Sequence, residues 1–240
     1  MFGQIKNQQG ESLDYAFHPG ASGSKDIVVI GHGVTGNKDR PWSIALADGL
    51  SKAGIPVLRF SFAGNGSSGG RFVDATISKE VEDLGSVFDV LQGWKIVYAG
   101  HSMGGAVGVC RAAKDSRIQR LISLAGMVHT KAFAQREFGQ VEPDKGFMWD
   151  EPSCPLSSAY MKDLSELNTL AGFGGKIRVP WLLVHGTEDD VVPIQDSRDI
   201  LAMADAKLAR LVELPGCNHV FAEPHTAAMV SSVVGWLKGA

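Results

Sequence analysis

The 240-residue chain reads as an α/β protein: a mostly parallel central sheet with helices on both faces and a small inserted segment. Two observations predict this class. Short apolar runs of about five residues alternate with amphipathic stretches of ten or more, which is the pattern of βαβ units. The short runs are also apolar almost throughout, as strands covered on both faces must be. Length adds a third observation, because 240 residues can bury a full core without a second domain, so a single domain over 1–240 is expected.

In chain order, a hairpin is expected first, with residues 2–6 and 12–17 alternating sides about Asn7-Gln8-Gln9-Gly10. Residues 26–30 read as the first buried strand. Pro41 opens a helix, where its missing N–H would be unpaired in any case. Further strands are predicted at 56–60, 95–99, 120–125, 179–185 and 208–214. Helices fall near 41–53, 78–92, 103–114, 195–204 and 223–238. Ligands of such a sheet bind beyond the carboxyl ends of its strands.

Residues 127–178 break the rhythm, since a crossover needs only a dozen or so residues. The stretch carries Phe133, Phe138, Phe147, Met148, Trp149 and Tyr160 among charges and prolines, more apolar mass than a solvated loop needs. It is expected to form a small cap, with Phe138, Phe147, Met148 and Trp149 as the candidate substrate-binding side chains. The alternative is a helical excursion that packs on the sheet and touches no ligand.

Lys and Arg total 23 against 26 Asp and Glu, and no basic block is dense enough for a nucleic-acid footprint. No stretch approaches the roughly 18 apolar residues of a membrane span, and the first 25 residues lack the form of a signal peptide. A cytoplasmic protein with no membrane span and no nucleic-acid partner is therefore expected. Cys110, Cys154 and Cys217 are scattered and odd in number, which fits reduced thiols and no metal knuckle. Cys217 lies two residues before His219, so a cysteine nucleophile has to be weighed, but nothing local positions it.

Gly100-His101-Ser102-Met103-Gly104 matches G-x-S-x-G, the turn that exposes a serine hydroxyl at a strand-to-helix corner. The motif alone is weak, and Gly66-Ser67-Ser68-Gly69-Gly70 matches it too. Context separates them. Ser102 follows an apolar strand run and precedes the helical segment Ala106 to Ala113, whereas Ser68 sits in a glycine-rich loop with no helix opening directly after it. Ser102 is the candidate nucleophile.

A serine hydroxyl needs a base, and the base needs an acid to fix its tautomer. His219 lies in the loop between the last strand and the terminal helix, at the sheet end where Ser102 also falls. His225 is the runner-up, inside the predicted helix. In the loop after 179–185, Glu188, Asp189 and Asp190 are candidates for the acid, and spacing favours Asp189 over the reading of a solvated acidic turn. The chain order Ser, Asp, His agrees. A tetrahedral intermediate also needs two backbone N–H donors near 3 Å from its oxyanion. Met103, directly after the serine, is one. Val34, in the loop Gly31-His32-Gly33-Val34-Thr35-Gly36, is the other.

With these segments in view, the chain resembles the α/β-hydrolase family, in particular small capped esterases such as feruloyl or cinnamoyl esterases and monoacylglycerol-lipase-like enzymes. The resemblance spans nearly the whole length. It rests on His32-Gly33-Val34-Thr35-Gly36-Asn37-Lys38, Phe60 to Gly69, Gly100 to Gly105, His185 to Pro193 and Asn218-His219. It implies carboxylic-ester hydrolysis through an acyl-enzyme on a small-molecule ester, with no metal and no organic cofactor, and a structural role for the loop around Ser68. The same triad could serve acyl transfer, amide hydrolysis or carbon–carbon bond hydrolysis; a non-catalytic ligand receptor is the reading from another class. Two departures stand out: Val34 occupies a position often held by a large aromatic, and Ala63 and Asn65 stand where Arg and His are common. The first leaves a main-chain donor intact and widens the acyl pocket.

Overall fold

The computed structural model describes residues 2–239. The chain runs β1 (Ile5–Lys6), β2 (Ser12–Leu13), β3 (Tyr15–His18), β4 (Asp26–Gly31), α1 (Pro41–Lys52), β5 (Val57–Phe60), α2 (Ile77–Asp89), β6 (Lys95–His101) and α3 (Met103–Ala112). It continues through β7 (Ile118–Leu124), α4 (Thr130–Phe138), α5 (Ser158–Leu167), β8 (Trp181–Gly186), α6 (Ile194–Met203), β9 (Ala209–Leu214) and α7 (Thr226–Gly239). β3 to β9 form one seven-stranded sheet in the order β3-β5-β4-β6-β7-β8-β9. Within this sheet, among the described residues, only β3 is antiparallel to its neighbour.

The expected opening hairpin is corrected. Ile5 and Lys6 pair with Leu13 and Ser12 in a separate two-stranded ribbon, while Tyr15–His18 leaves it to become an edge of the main sheet against β5. The side-to-side alternation of residues 12–17 reads the same in either partnership, so the pattern could not choose between them. The terminal helix starts at Thr226 rather than 223, because the residue before Pro224 is disfavoured in helical conformation. His225 therefore precedes that helix.

Adjacent residues of each strand feed opposite faces. In β6, Ile96 and Tyr98 enter a core shared with α2, α3 and the 127–178 insertion. Val97 and Ala99 enter a second core with Trp42, Leu46 and Leu50 of α1 and Met229, Val233 and Trp236 of α7. From β4 the chain goes first to β5 on one side, then to β6 on the other, so the β4/β6 boundary is the topological switch point at which ligands of open α/β sheets bind. Gly31 pairs with Gly100 there, bringing the loop after β4 beside the end of β6.

The insertion folds as α4, α5 and short 3₁₀ turns. Phe133, Phe138, Tyr160 and Leu164 are buried in the core it shares with α2 and α3. Its entry is fastened by Asp196 of α6, whose buried Oδ2 accepts the N–H groups of Val128 at 2.7 Å and His129 at 3.0 Å. Thr130 Oγ1 donates to Leu164 C=O at 2.7 Å, tying α4 to α5. Among the described residues no helix is long and apolar enough to cross a membrane.

Removing the Asp196 carboxylate strands two amides away from water, and an unsatisfied buried donor costs roughly 1–3 kcal/mol. Asp196→Ala is expected to lower the unfolding free energy by about 2–4 kcal/mol in urea titration; a loss under about 0.5 kcal/mol would show that the insertion is held by its apolar contacts alone.

Candidate active site

β6 becomes α3 across one residue. Ser102 sits between them at φ 53°, ψ −119°, a left-handed conformation that a non-glycine residue adopts only when its surroundings enforce it. The enforcement is visible. Ser102 N–H donates to Leu124 C=O at 2.9 Å, and its own C=O accepts from Gly105 at 2.9 Å and Met127 at 3.0 Å. Glycine is required on both sides of the corner: a Cβ on Gly100 would lie 2.1 Å from the Gly104 carbonyl oxygen, and one on Gly104 would lie 2.5 Å from that of His32. Ser68 is placed differently. Its Oγ donates to Ser61 C=O at 2.7 Å and accepts from Asp14 N–H at 2.9 Å, closing the glycine-rich loop after β5.

Ser102 and His219 line one cavity of about 810 Å³, together with Val34, Trp42, Trp149, Val191 and Phe221. His219 Nδ1 donates to Asp189 Oδ2 at 2.8 Å, which leaves Nε2 as the ring's accepting nitrogen. Among the described residues Ser102 Oγ has no hydrogen-bond partner; in unliganded sites such contacts are commonly long and close only with substrate. Asp189 is fully buried as a side chain. Its Oδ1 accepts from Val191 and Val192 at 3.0 and 2.8 Å, and its Oδ2 also faces His185 Nε2 at 3.1 Å. Burial alone would raise its pKa; the hydrogen bonds from His185 and His219 outweigh burial and hold the carboxyl well below the usual carboxylate range. Glu188 and Asp190 point to solvent.

On the other wall, a Cβ on Gly33 would touch Ser102, so the loop after β4 runs directly over the serine. His32 braces it: Nδ1 donates to Gly33 C=O at 2.8 Å while Nε2 accepts from Phe62 N–H at 3.0 Å. Burial pushes His32 down to about 4, keeping it neutral. Among the described residues the N–H groups of Val34 and Met103 donate to no protein acceptor.

The four apolar candidates of the insertion separate. Trp149 lines the cavity. Phe138 does not: it is fully buried behind Trp149 at 4.9 Å between ring centroids, because α4 needs it for its own core. Met148 is buried away from the cavity, and Phe147 is half-exposed and bridges to Pro155. Trp149 is left-handed at φ 48°, ψ 39°, with its indole N–H donating to Glu137 at 3.1 Å. Cys217 is buried with its thiol pushed up to about 11 by burial, which removes it as a nucleophile near neutral pH. His225 lies outside the cavity lining.

Sequence reasoning passed over His101 and His185. His101 fills the variable position of the motif, where any residue fits the pattern. His185 ends an apolar strand run, and a lone polar residue closing a buried strand was the available signal. His101 Nε2 donates to the backbone C=O of His219 at 2.9 Å.

The sequence matches the alpha/beta hydrolase fold family over residues 26–152, more than half of the chain. The chain belongs to this family. Among alpha/beta hydrolases and other curated proteins, it is 29% identical over 221 residues to an uncharacterized protein of Mycobacterium tuberculosis, covering 90% of this chain and 70% of that one. It is 23% identical over 250 residues to a monoacylglycerol lipase of Mycolicibacterium smegmatis, covering 89% and 88%. Among solved structures, Est1E from Butyrivibrio proteoclasticus with ferulic acid bound superposes at a TM-score of 0.87 with 25% identity over 98% of each chain.

His101 titrates far below an ordinary histidine, at about 3, chiefly because burial penalises its charged form. Its folded pKa is thus depressed relative to the unfolded chain, so the native state excludes a proton that the unfolded state takes up below about 6.5. The stability associated with neutral His101 is present above that value and lost as pH falls toward 3. Between pH 6 and 4.5, the unfolding free energy of the wild type should fall more steeply than that of His101→Gln by up to about 1.4 kcal/mol per pH unit. Parallel slopes in denaturant titrations would contradict neutral burial of this ring.

Proposed function

We propose that this alpha/beta hydrolase cleaves carboxylic esters through an acyl-enzyme formed on Ser102. One observation carries the reading: Ser102 and His219 open onto the same apolar cavity, while His219 is held through Nδ1 by a buried, ionised Asp189. His219 Nε2 takes the Ser102 proton as Oγ attacks the ester carbonyl. The N–H groups of Val34 and Met103 receive the oxyanion, and the helix that starts at Met103 favours negative charge at that point. As the intermediate collapses, the carbonyl–alkoxy bond breaks and His219 returns the proton to the leaving alcohol. Water, deprotonated by the same nitrogen, then attacks the acyl-enzyme and releases the acid. Asp189 stabilises the imidazolium formed in each half and takes no proton itself.

The substrate is a small-molecule ester with a sizeable apolar part. Pro41, Trp42 and Ala45 of α1 and Val220, Phe221 and Ala222 of the loop before α7 line the cavity and offer that part a trough. Within the 127–178 cap, Trp149 is the contributor to this trough. A monoacylglycerol lipase and a ferulic-acid-bound Est1E among the relatives support an ester as the bond cleaved.

With p-nitrophenyl butyrate as substrate, Ser102→Ala is expected to lose at least about 10³-fold in kcat/KM; a wild type that turns over no ester, or an Ala variant that keeps its rate, overturns the reading. Asp189→Asn should lose roughly 10³- to 10⁴-fold in kcat with KM nearly unchanged, because the amide no longer fixes the tautomer of His219. A loss below tenfold would remove Asp189 from the triad.

A further inference from the structure

We propose that His101, the residue directly before the nucleophile, is a positioning residue that holds the His219 loop against the strand-to-helix corner and so fixes the separation of nucleophile and base. The inference rests on the triad reading above. Its ground is geometric. Asp189 grips the His219 ring at one atom, Nδ1, over 2.8 Å. A single hydrogen bond leaves the ring free to tilt about that bond, and the β9–α7 backbone, fastened to the loop after β8 at Gly216 and at Cys217, is not held by it at His219 itself. Either movement changes where Nε2 points.

His101 removes both freedoms. Its Nε2–H donates to the His219 carbonyl at 2.9 Å, and since a carbonyl only accepts, this fixes the tautomer of His101 with the proton on Nε2. Its ring lies against the His219 ring, with centroids 4.7 Å apart at 47°. Trp42 of α1 is also 4.7 Å away at 35°, and Phe221, two residues beyond His219, packs edge-to-face with it at 6.0 Å. Trp42, His101 and Phe221 are all buried, and all three also line the cavity, so the stack joins the second core to the cavity wall. Three elements thus meet on one imidazole: α1, the corner and the base-bearing loop.

The placement in sequence matters as much as the contacts. His101 and Ser102 share a peptide unit, so the group that grips the loop and the group that reacts move together. Errors in where the corner sits relative to the sheet are carried to the base as well as to the nucleophile, and their separation is preserved. Burial also keeps His101 neutral, at about 3, so the ring beside the base does not carry a competing charge at working pH.

The test compares His101→Leu, His101→Asn and His101→Gln with wild type. It uses kcat and KM for p-nitrophenyl acetate and the rate of Ser102 labelling by a fluorophosphonate. The Gln amide reaches the place of Nε2; the Asn amide, one methylene shorter, does not. Leu and Asn should lose roughly 10- to 100-fold in kcat and in labelling rate. KM should stay within about threefold, and Gln should recover to within about fivefold of wild type. If Leu and Asn keep their kcat, or if Gln is as slow as Asn, the proposal is overturned. Thermal melting checks folding, and should the Leu variant not fold, the Asn and Gln pair decides. Failure of wild type itself to be labelled would instead overturn the triad reading, so the two failures are separable.

Discussion

The backbone of Ser102 is the constraint on which the site depends. A residue with a side chain is kept in the left-handed region at φ 53°, a conformation costing of order 1–3 kcal/mol, because backbone hydrogen bonds tie it to the end of β7, to the loop that follows and to the first turn of α3. Tyr98 adds a further tie, its hydroxyl donating to Gly104 C=O at 3.0 Å. The reward is position. A sharp corner lifts the hydroxyl off the sheet at the switch point, under the loop after β4 and beside the first amide of α3. Relaxing the corner would move the serine, the Met103 amide and the Gly33 contact together.

Around this corner the polar work is done by buried imidazoles and one carboxylate. His32 braces the loop that carries Val34, and His101 the loop that carries His219. His185 faces Asp189 while its Nδ1 lies 2.7 Å from Ser197. Burial keeps His32 and His101 uncharged, so the formal charge is concentrated at Asp189, where two amides and two imidazoles meet it. A buried charge with that many donors is held in its ionised form at little risk of protonation. The cavity accordingly opens on the α1 and α7 side of the sheet, where the walls are apolar, and the insertion reaches it with Trp149 alone of the four candidates weighed from the sequence.

Much of this was legible in the sequence because its signals were local. Short apolar runs such as 26–30 and 181–185, alternating with longer amphipathic stretches, read as strands covered on both faces, and Gly100 to Gly104 carries its corner in its own spacing. The motif and its strand–turn–helix context mark Ser102, and the places of His219 and Asp189 in loops at the same sheet end follow from the order of the strands and the spacing of the acidic residues. What was not legible depended on long-range partners. Residues 15–18 alternate in a way that suits either a hairpin or a sheet edge. Phe138 and Trp149 look alike as aromatic residues in an insertion, and the division between core and cavity is made by α4 packing on its neighbours. His101 was hidden because its partner is a backbone carbonyl 118 residues away, and no side-chain pattern marks such an acceptor.

The central claim is that the hydroxyl of Ser102, and not that of Ser68, is the nucleophile. Peptide mapping by mass spectrometry of the wild-type protein after reaction with a fluorophosphonate tests it most directly. A single adduct on the peptide containing Ser102 is the predicted result; an adduct on Ser68, or on Cys217, would contradict the account.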